Sequence, residues 1–444
     1  MAGRYDFDTV IDRSNTSCMK WDGLEERFGK PDLHAMWVAD MDFKAPPEVI
    51  EVLQRRLDHG IFGYTAQFDG YYESIVNWVK RRHGWGIRKE WIAFSPGVVP
   101  ALSMALLAFS QPGDRVVIQP PVYYPFFSVI DGRGRKILEN PLRFDNGRFS
   151  MDLEDLERKI DPSVKAIFLC NPHNPVGRVW TRGELERLGE ICIEKDILIV
   201  SDEIHSDIVF SGSRHVPMAS ISEEIARRTL TCISPSKTFN IAGLSTSVLI
   251  IPDARIRENF QRVISFLHME KGNVFGTLAL EACYNFGEPW LEQLLAYLEG
   301  NLDFTEDFLA ENIPEISLVR PEGTYIPLLD CRSLSMSGPE LQQFLVEKAR
   351  VALDGDLVLF ARCLVLGRHV QDAVGVDVEG HLDLRHAARG GRDPGELELA
   401  DGPVVLRHLP LALQHVDLDR RLVVLGGAED LRLLGRDRGV ARDE

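Results

Sequence analysis

The chain has 444 residues and a formal net charge of -17. That length calls for one large α/β domain with a smaller partner, and the dispersed acidic residues argue against nucleic acid as a partner. Seven scattered cysteines (Cys18, Cys170, Cys192, Cys232, Cys283, Cys331, Cys363) with no Cys-x-x-Cys pair build neither a disulfide framework nor a zinc site, and imply a reducing compartment. No apolar run approaches the roughly 18 residues of a membrane span. The N-terminus also lacks the basic-then-apolar pattern of an export signal. A cytoplasmic protein that binds no metal and no membrane is the expectation.

Residues 1–45 are polar, aromatic-rich and weakly periodic, as in an arm that packs over something else, with "MWVADMDF" (36–43) as its most apolar patch. Over 46–289 short apolar runs recur: "WIAF" (91–94), "RVVIQ" (115–119), "KILEN" (136–140), "KAIFLC" (165–170), "ILIVS" (197–201), "LTCIS" (230–234) and "STSVLII" (245–251). Most are separated by helical spacing, as in 181–195, where Leu185, Leu188, Ile191 and Cys192 share one face. Seven strands alternating with helices predict a mostly parallel seven-stranded sheet covered on both sides, an α/β fold. From 290 the chain turns helical (290–312). The segment "LVRPEGTYIPLLD" and a helix near 338–350 then predict a smaller α/β domain over 290–355.

In open parallel sheets ligands bind beyond the carboxyl ends of the strands. After 115–119 comes Tyr123 or Tyr124; after 165–170, "NPHNPVG" offers Asn171 and Asn174; after 197–201 come Asp202 and His205; after 230–234 comes Lys237. Each alone has a plain structural reading, as a turn, a helix cap or a solvated charge. Together they supply what pyridoxal phosphate (PLP) requires: an amine for a Schiff base, a carboxylate for the pyridine nitrogen, an amide for the ring hydroxyl and an aromatic face. The phosphate needs donors, and Gly97, Val98 and Val99 sit where a strand turns into a helix with free N–H groups. Ser234 and Ser236 can add hydroxyls. Lys237 is then an amine held at the ligand rim, where it can be desolvated and made nucleophilic.

"NPHNPVGRVW", "SDEIHSDIVF", "SPSKTFNIAGL", "HGIFGYTAQ", "WVADMDF" and "PEGTY" together resemble fold-type I PLP enzymes, the aspartate aminotransferase superfamily, and within it the cystathionine β-lyase or C-S lyase branch of MalY/PatB type. The resemblance covers residues 4–355. It implies that Lys237 holds the cofactor as a Schiff base, that Asp202 pairs with the pyridine nitrogen, that Asn174 and His205 face the phenolic oxygen, and that Tyr123 stacks on the ring. It also implies a homodimer in which Tyr64 reaches the neighbouring subunit's cofactor phosphate. The segment around Ala39 and Asp40 would line the substrate side. The implied chemistry is β-elimination from a small amino-acid substrate, with Lys237 removing the Cα proton and a thiolate leaving Cβ, to give pyruvate and ammonia. An aminotransferase using the same site is the first alternative, and a PLP-binding regulator with little catalysis the second.

One departure from the family is expected to matter. Its members carry, near the C-terminus, an arginine in a Met-Arg-Leu-Asn-like segment that clamps the substrate carboxylate, and no such segment occurs here. Residues 356–444 contain no Lys, Ile, Ser, Thr, Asn, Met, Tyr or Trp. That composition points to a frameshifted or opposite-strand reading of GC-rich DNA rather than a low-complexity interaction tail. The small domain is therefore expected to be truncated and turnover impaired.

Overall fold

The computed structural model describes residues 5–357 and 360–362, which fall within one compact unit, Met1–Arg389. The anomalous tail lies outside the described residues except for its first few positions. Seven strands form the central sheet: β1 (Ile92–Ser95), β2 (Arg115–Ile118), β3 (Lys136–Glu139), β4 (Val164–Cys170), β5 (Leu198–Asp202), β6 (Thr229–Ile233) and β7 (Ser247–Ile250). Each corresponds to one of the seven apolar runs. Their spatial order is β1-β7-β6-β5-β4-β2-β3. All neighbours run parallel except β7, which is antiparallel to both β1 and β6.

Successive strand residues point to opposite faces, and both faces are buried. Val116 and Ile118 pack with Phe126, Phe168 and Val200 in one apolar cluster. Val117 packs with Ile167, Leu169 and Ile199 in another, against Leu185 and Leu188. The latter two belong to the helix Arg182–Glu194, which begins in a capping box: Thr181 accepts from the Glu184 backbone N–H and Glu184 accepts from that of Thr181. All four residues predicted to share its inner face are at most 1 % exposed. Burying each of the leucines and Ile191 contributes about 1.5–3 kcal/mol.

Beyond the helix Glu288–Asn312, a four-stranded antiparallel sheet follows, with β8 (Ser317–Val319), β9 (Leu328–Asp330), β10 (Asp354–Leu357) and β11 (Phe360–Arg362) in the order β8-β9-β11-β10. The helix predicted over 338–350 ends earlier as a regular helix, at Phe344, and continues as a wider turn over Leu345–Ala349.

The N-terminal arm is tied to this second region. His34–Ala35 pairs in parallel with Val351–Ala352. Lys30 also bonds Glu347.

The loop 171–178 meets the "PEGTY" segment closely. Gly177 has φ +70°, and a Cβ there would lie 2.4 Å from that of Pro321. Only glycine suits both the backbone angle and the approach. The contact is locked by Glu322, which accepts from Arg178 Nε and the Val179 backbone N–H, each at 2.9 Å.

Candidate active site

The carboxyl ends of β1, β2, β4, β5 and β6 open into one cavity of about 1030 Å³. Parallel strands place their following loops at one rim, which is why residues far apart in sequence gather there. Lys237, Asp202, Asn174, His205, Tyr123, Val98, Val99 and Ala39 all line it.

Lys237 lies in a single helical turn, Pro235–Thr238, directly after β6. Its Nζ donates to the Ala39 backbone oxygen at 2.6 Å. Burial lowers its pKa, against the opposing pull of Asp40 and Asp202. Asp202 closes β5 and is 3 % exposed. Its Oδ1 accepts from the Ile204 backbone N–H at 3.1 Å, and burial pushes its pKa up to about 7. His205 is driven down to about 3, by burial first and the Lys237 charge second, so its ring is neutral.

Of the two candidate amides, Asn174 lines the cavity, while Asn171 is turned to donate to the Val216 backbone oxygen at 3.1 Å. Asn174 Oδ1 and His205 Nδ1 are buried without a protein partner. Both tyrosines of the pair, Tyr123 and Tyr124, reach the cavity. Val98 opens the helix Val98–Phe109, whose N-cap, Gly97, provides no side-chain cap.

Four expected residues, Ser234, Ser236, Asp40 and Tyr64, do not line this cavity, as is expected of Tyr64 if it serves the neighbouring subunit. Ser234 is the N-cap of the lysine turn: its hydroxyl donates to Thr246 O at 2.7 Å and accepts from Ser236 N at 3.1 Å. It is therefore committed to the fold, and with Ser236 it does not line the cavity. Asp40 is not a lining residue either, because its carboxylate is drawn to Arg13. Arg13 also bonds Asp42, which takes the fully buried Lys20 Nζ at 2.7 Å. Tyr64 is fully exposed, away from this chain's cavity.

Sequence reading passed over two participants. Tyr325, within "PEGTY", donates to Ala39 O at 3.0 Å and meets the His205 ring edge-on, with centroids 5.9 Å apart. The quoted motif was the available signal. Arg27, on the short helix Leu24–Phe28, is with Lys237 one of the two cations lining the cavity among the described residues. Nothing in the sequence around it announces that position.

Among the described residues no cluster of His, Cys, Asp and Glu could hold a metal ion, and no helix is long and apolar enough to cross a membrane. Six cysteines in this part of the chain are free.

A family model described as aminotransferase class I and II matches residues 36–355. A second, described as NAD-specific glutamate dehydrogenase, matches residues 327–444. Cystathionine β-lyase PatB of Bacillus subtilis (strain 168) is 47% identical over 349 residues, spanning 78% of this chain and 90% of the relative. Protein MalY of Escherichia coli (strain K12) is 33% identical over 353 residues, spanning 79% of this chain and 90% of MalY. Among solved structures, cystalysin from Treponema denticola, which contains pyridoxal 5'-phosphate, superposes with a TM-score of 0.81 at 37% identity, covering 84% of this chain and 97% of that one. The chain accordingly belongs to the class I and II aminotransferase family of fold-type I PLP enzymes, in its MalY/PatB branch.

Proposed function

We propose that the protein is a PLP-dependent carbon-sulfur β-lyase that cleaves cystathionine or related cysteine S-conjugates to a thiol, pyruvate and ammonia. The observation that carries this reading is the Lys237 amine standing in one cavity with Asp202, Asn174 and His205, in a chain 47% identical to a cystathionine β-lyase.

The residues present fit the cofactor. Asn174 and His205 each keep a buried polar atom that no protein group satisfies, a state that a bound polar ligand relieves. The helix opening at Val98 has no side-chain cap, so its N–H groups and dipole suit a phosphate. Asp202 is a buried carboxylate whose charge is disfavoured by desolvation, and a cation brought against it lowers that penalty. On this reading Lys237 binds the aldehyde carbon, Asp202 the pyridine nitrogen and Asn174 the ring oxygen, with His205 beside Asn174 and Tyr123 across the ring face. Val98 and Val99 would hold the phosphate through their backbone N–H groups.

When bound, PLP supplies an electrophilic carbon and a ring that withdraws electrons from the substrate Cα. Lys237 does the proton work. Its amine, set free when the substrate amine takes its place and favoured in its neutral form by burial, accepts the Cα proton. The electron pair left at Cα forms the bond to Cβ as the Cβ–S bond breaks, and the thiolate departs. Water then completes the balance, converting the released three-carbon fragment to pyruvate and ammonia. Ala39, whose backbone oxygen holds the resting amine, lines the substrate side. Arg27 is the one arginine among the described lining residues and is proposed to meet the substrate carboxylate.

The reading includes a cytoplasmic homodimer in which the exposed Tyr64 reaches the neighbouring cofactor phosphate. The test is to assay purified, PLP-loaded protein with cystathionine for pyruvate and free thiol, beside a transamination assay with a 2-oxo acid. Pyruvate and thiol in equal amounts support the lyase; amino-group transfer without thiol release supports the aminotransferase. Cofactor bound at Lys237 with neither activity supports a PLP-binding regulator.

A further inference from the structure

The helical turn that carries Lys237 has four residues, too few to be stable on its own. Side chains hold it at both ends. At its start Ser234 caps Ser236 N and bonds Thr246 O. At its end the fully buried Thr238 donates from Oγ1 to Asp207 Oδ2 at 2.8 Å. Asp207, 4 % exposed, lies in the loop after β5. Its other oxygen faces two donors, Trp78 Nε1 at 3.1 Å and His83 Nε2 at 3.0 Å. Burial would raise its pKa, but His83 and Thr238 hold it below the ordinary carboxylate value.

A second dyad stands alongside. His83 meets His215 edge-on, with ring centroids 5.2 Å apart. His215 Nε2 lies 2.9 Å from Glu203 Oε2. Glu203 follows Asp202 directly, and its Oε1 accepts from Ser201 Oγ at 2.8 Å and Met218 N at 2.9 Å. Two buried carboxylate–imidazole pairs therefore meet ring to ring. One is bonded to the residue after Lys237, and the other contains the residue after Asp202.

We propose that Asp207 is a positioning residue for Lys237, acting through Thr238, with Trp78 and His83 fixing the orientation of its carboxylate. The proposal rests on Lys237 as the residue that binds the aldehyde. Satisfying a buried carboxylate needs only donors of any origin. Here one donor comes from the residue next to the working lysine and the other two from a helix, Asp69–His83, outside the sheet rim. The carboxylate thereby ties the lysine turn to a packed element. A displacement of about 1 Å in a reacting group costs on the order of 10²-fold in rate, so this tie acts on the chemical step more than on substrate affinity.

The test compares wild type, Thr238→Val and Thr238→Ser as PLP-loaded full-length protein. Two quantities are read: kcat and KM for cystathionine, and the rate at which borohydride fixes the cofactor onto Lys237, located by peptide mapping. Val keeps the shape and removes the donor. The expected result is a kcat lower by roughly 10–10²-fold with KM within about twofold, slower fixation at Lys237, and recovery of both with Ser. Where Val prevents folding, Thr238→Ala leaves room for a water on Asp207 and is expected to show the same loss, since a water does not tie the turn to Asp207.

A folded Val or Ala variant with wild-type kcat and fixation rate overturns the proposal, as does a Ser variant no better than Val. If wild type fixes cofactor at Lys237 but cleaves no thioether, the lyase reading fails and the fixation rates alone decide this proposal. If Lys237 takes no label in wild type, both fall together.

Discussion

The backbone oxygen of Ala39 accepts two hydrogen bonds, from Lys237 Nζ at 2.6 Å and from the Tyr325 hydroxyl at 3.0 Å. Three distant segments thus meet at one carbonyl. That carbonyl is itself held in place by Asn240, which donates to Met41 O and Phe43 O and accepts from Met41 N. The Arg13–Asp40–Asp42–Lys20 cluster fixes it from the arm side.

Lys20 is the most deeply placed member of that cluster, with no exposed side-chain surface. Replacing it with Met keeps the length and leaves Asp42 to Arg13 and Trp21 alone. Removing one partner of a buried pair costs about 3–5 kcal/mol. Urea unfolding of Lys20→Met is expected to give a loss near the lower end of that range, because two partners remain. A loss under about 0.5 kcal/mol would show that the cluster is not a structural clamp.

Asp202 gives a pH dependence with a defined sign. Its folded pKa rises from 3.8 to about 7, so between these values the cofactor-free native state holds a proton that the unfolded chain has lost. Stability from this group is therefore present below about pH 4 and lost as pH rises through 7, by at most about 4 kcal/mol. Cofactor-free Asp202→Asn is expected to melt higher than wild type at pH 8 and to lose that advantage toward pH 4. Equal melting temperatures at pH 8 refute the desolvation account. With cofactor, Asn should instead lower kcat, since the cation at the ring nitrogen loses its counter-charge.

His205 is expected to remain neutral across the working range. Its folded pKa of about 3 lies far below the ordinary 6.5. Its contribution to stability is present above pH 6.5 and is lost as pH falls toward 3. Histidine side-chain NMR of the cofactor-free protein should show no titration of this ring between pH 5 and 8. A midpoint near 6.5 would mean that the ring is solvated.

Arg27→Met tests the cation at the cavity wall. If Arg27 meets a substrate carboxylate, KM for cystathionine rises by about tenfold while kcat changes little, because the lost interaction is made equally in ground and transition states. Unchanged KM would show that Arg27 does not meet the substrate carboxylate.

The large sheet was legible because its strands are buried on both faces and read as apolar runs, and the rule that ligands gather at strand ends then brought Lys237, Asp202 and Asn174 to one rim. The parts that were not legible depended on contacts between distant segments. Ser234 reads as a free hydroxyl beside the lysine, yet the start of a helical turn needed its oxygen more. Asp40 reads as a substrate-side acid, yet Arg13, from a polar stretch without periodicity, claims it. Asn171 and Asn174 read alike from the strand-end rule alone; the family resemblance singles out Asn174, which is the one the loop turns into the cavity. Arg27 reaches the cavity because the arm pairs with Val351–Ala352, a match that no local pattern reveals.

The separation of 198 positions between Ala39 and Lys237 has a consequence during synthesis. When Met36, Met41 and Phe43 leave the ribosome, the surfaces that bury them do not yet exist. They must wait, exposed, until Asn240 and the long helix near residue 290 have emerged. Such sequence-distant closure is slow, and unprotected apolar stretches adhere to one another in the meantime. The nascent chain should therefore depend on a holdase, and yield should fall more steeply with rising expression temperature than the stability of the finished protein would suggest.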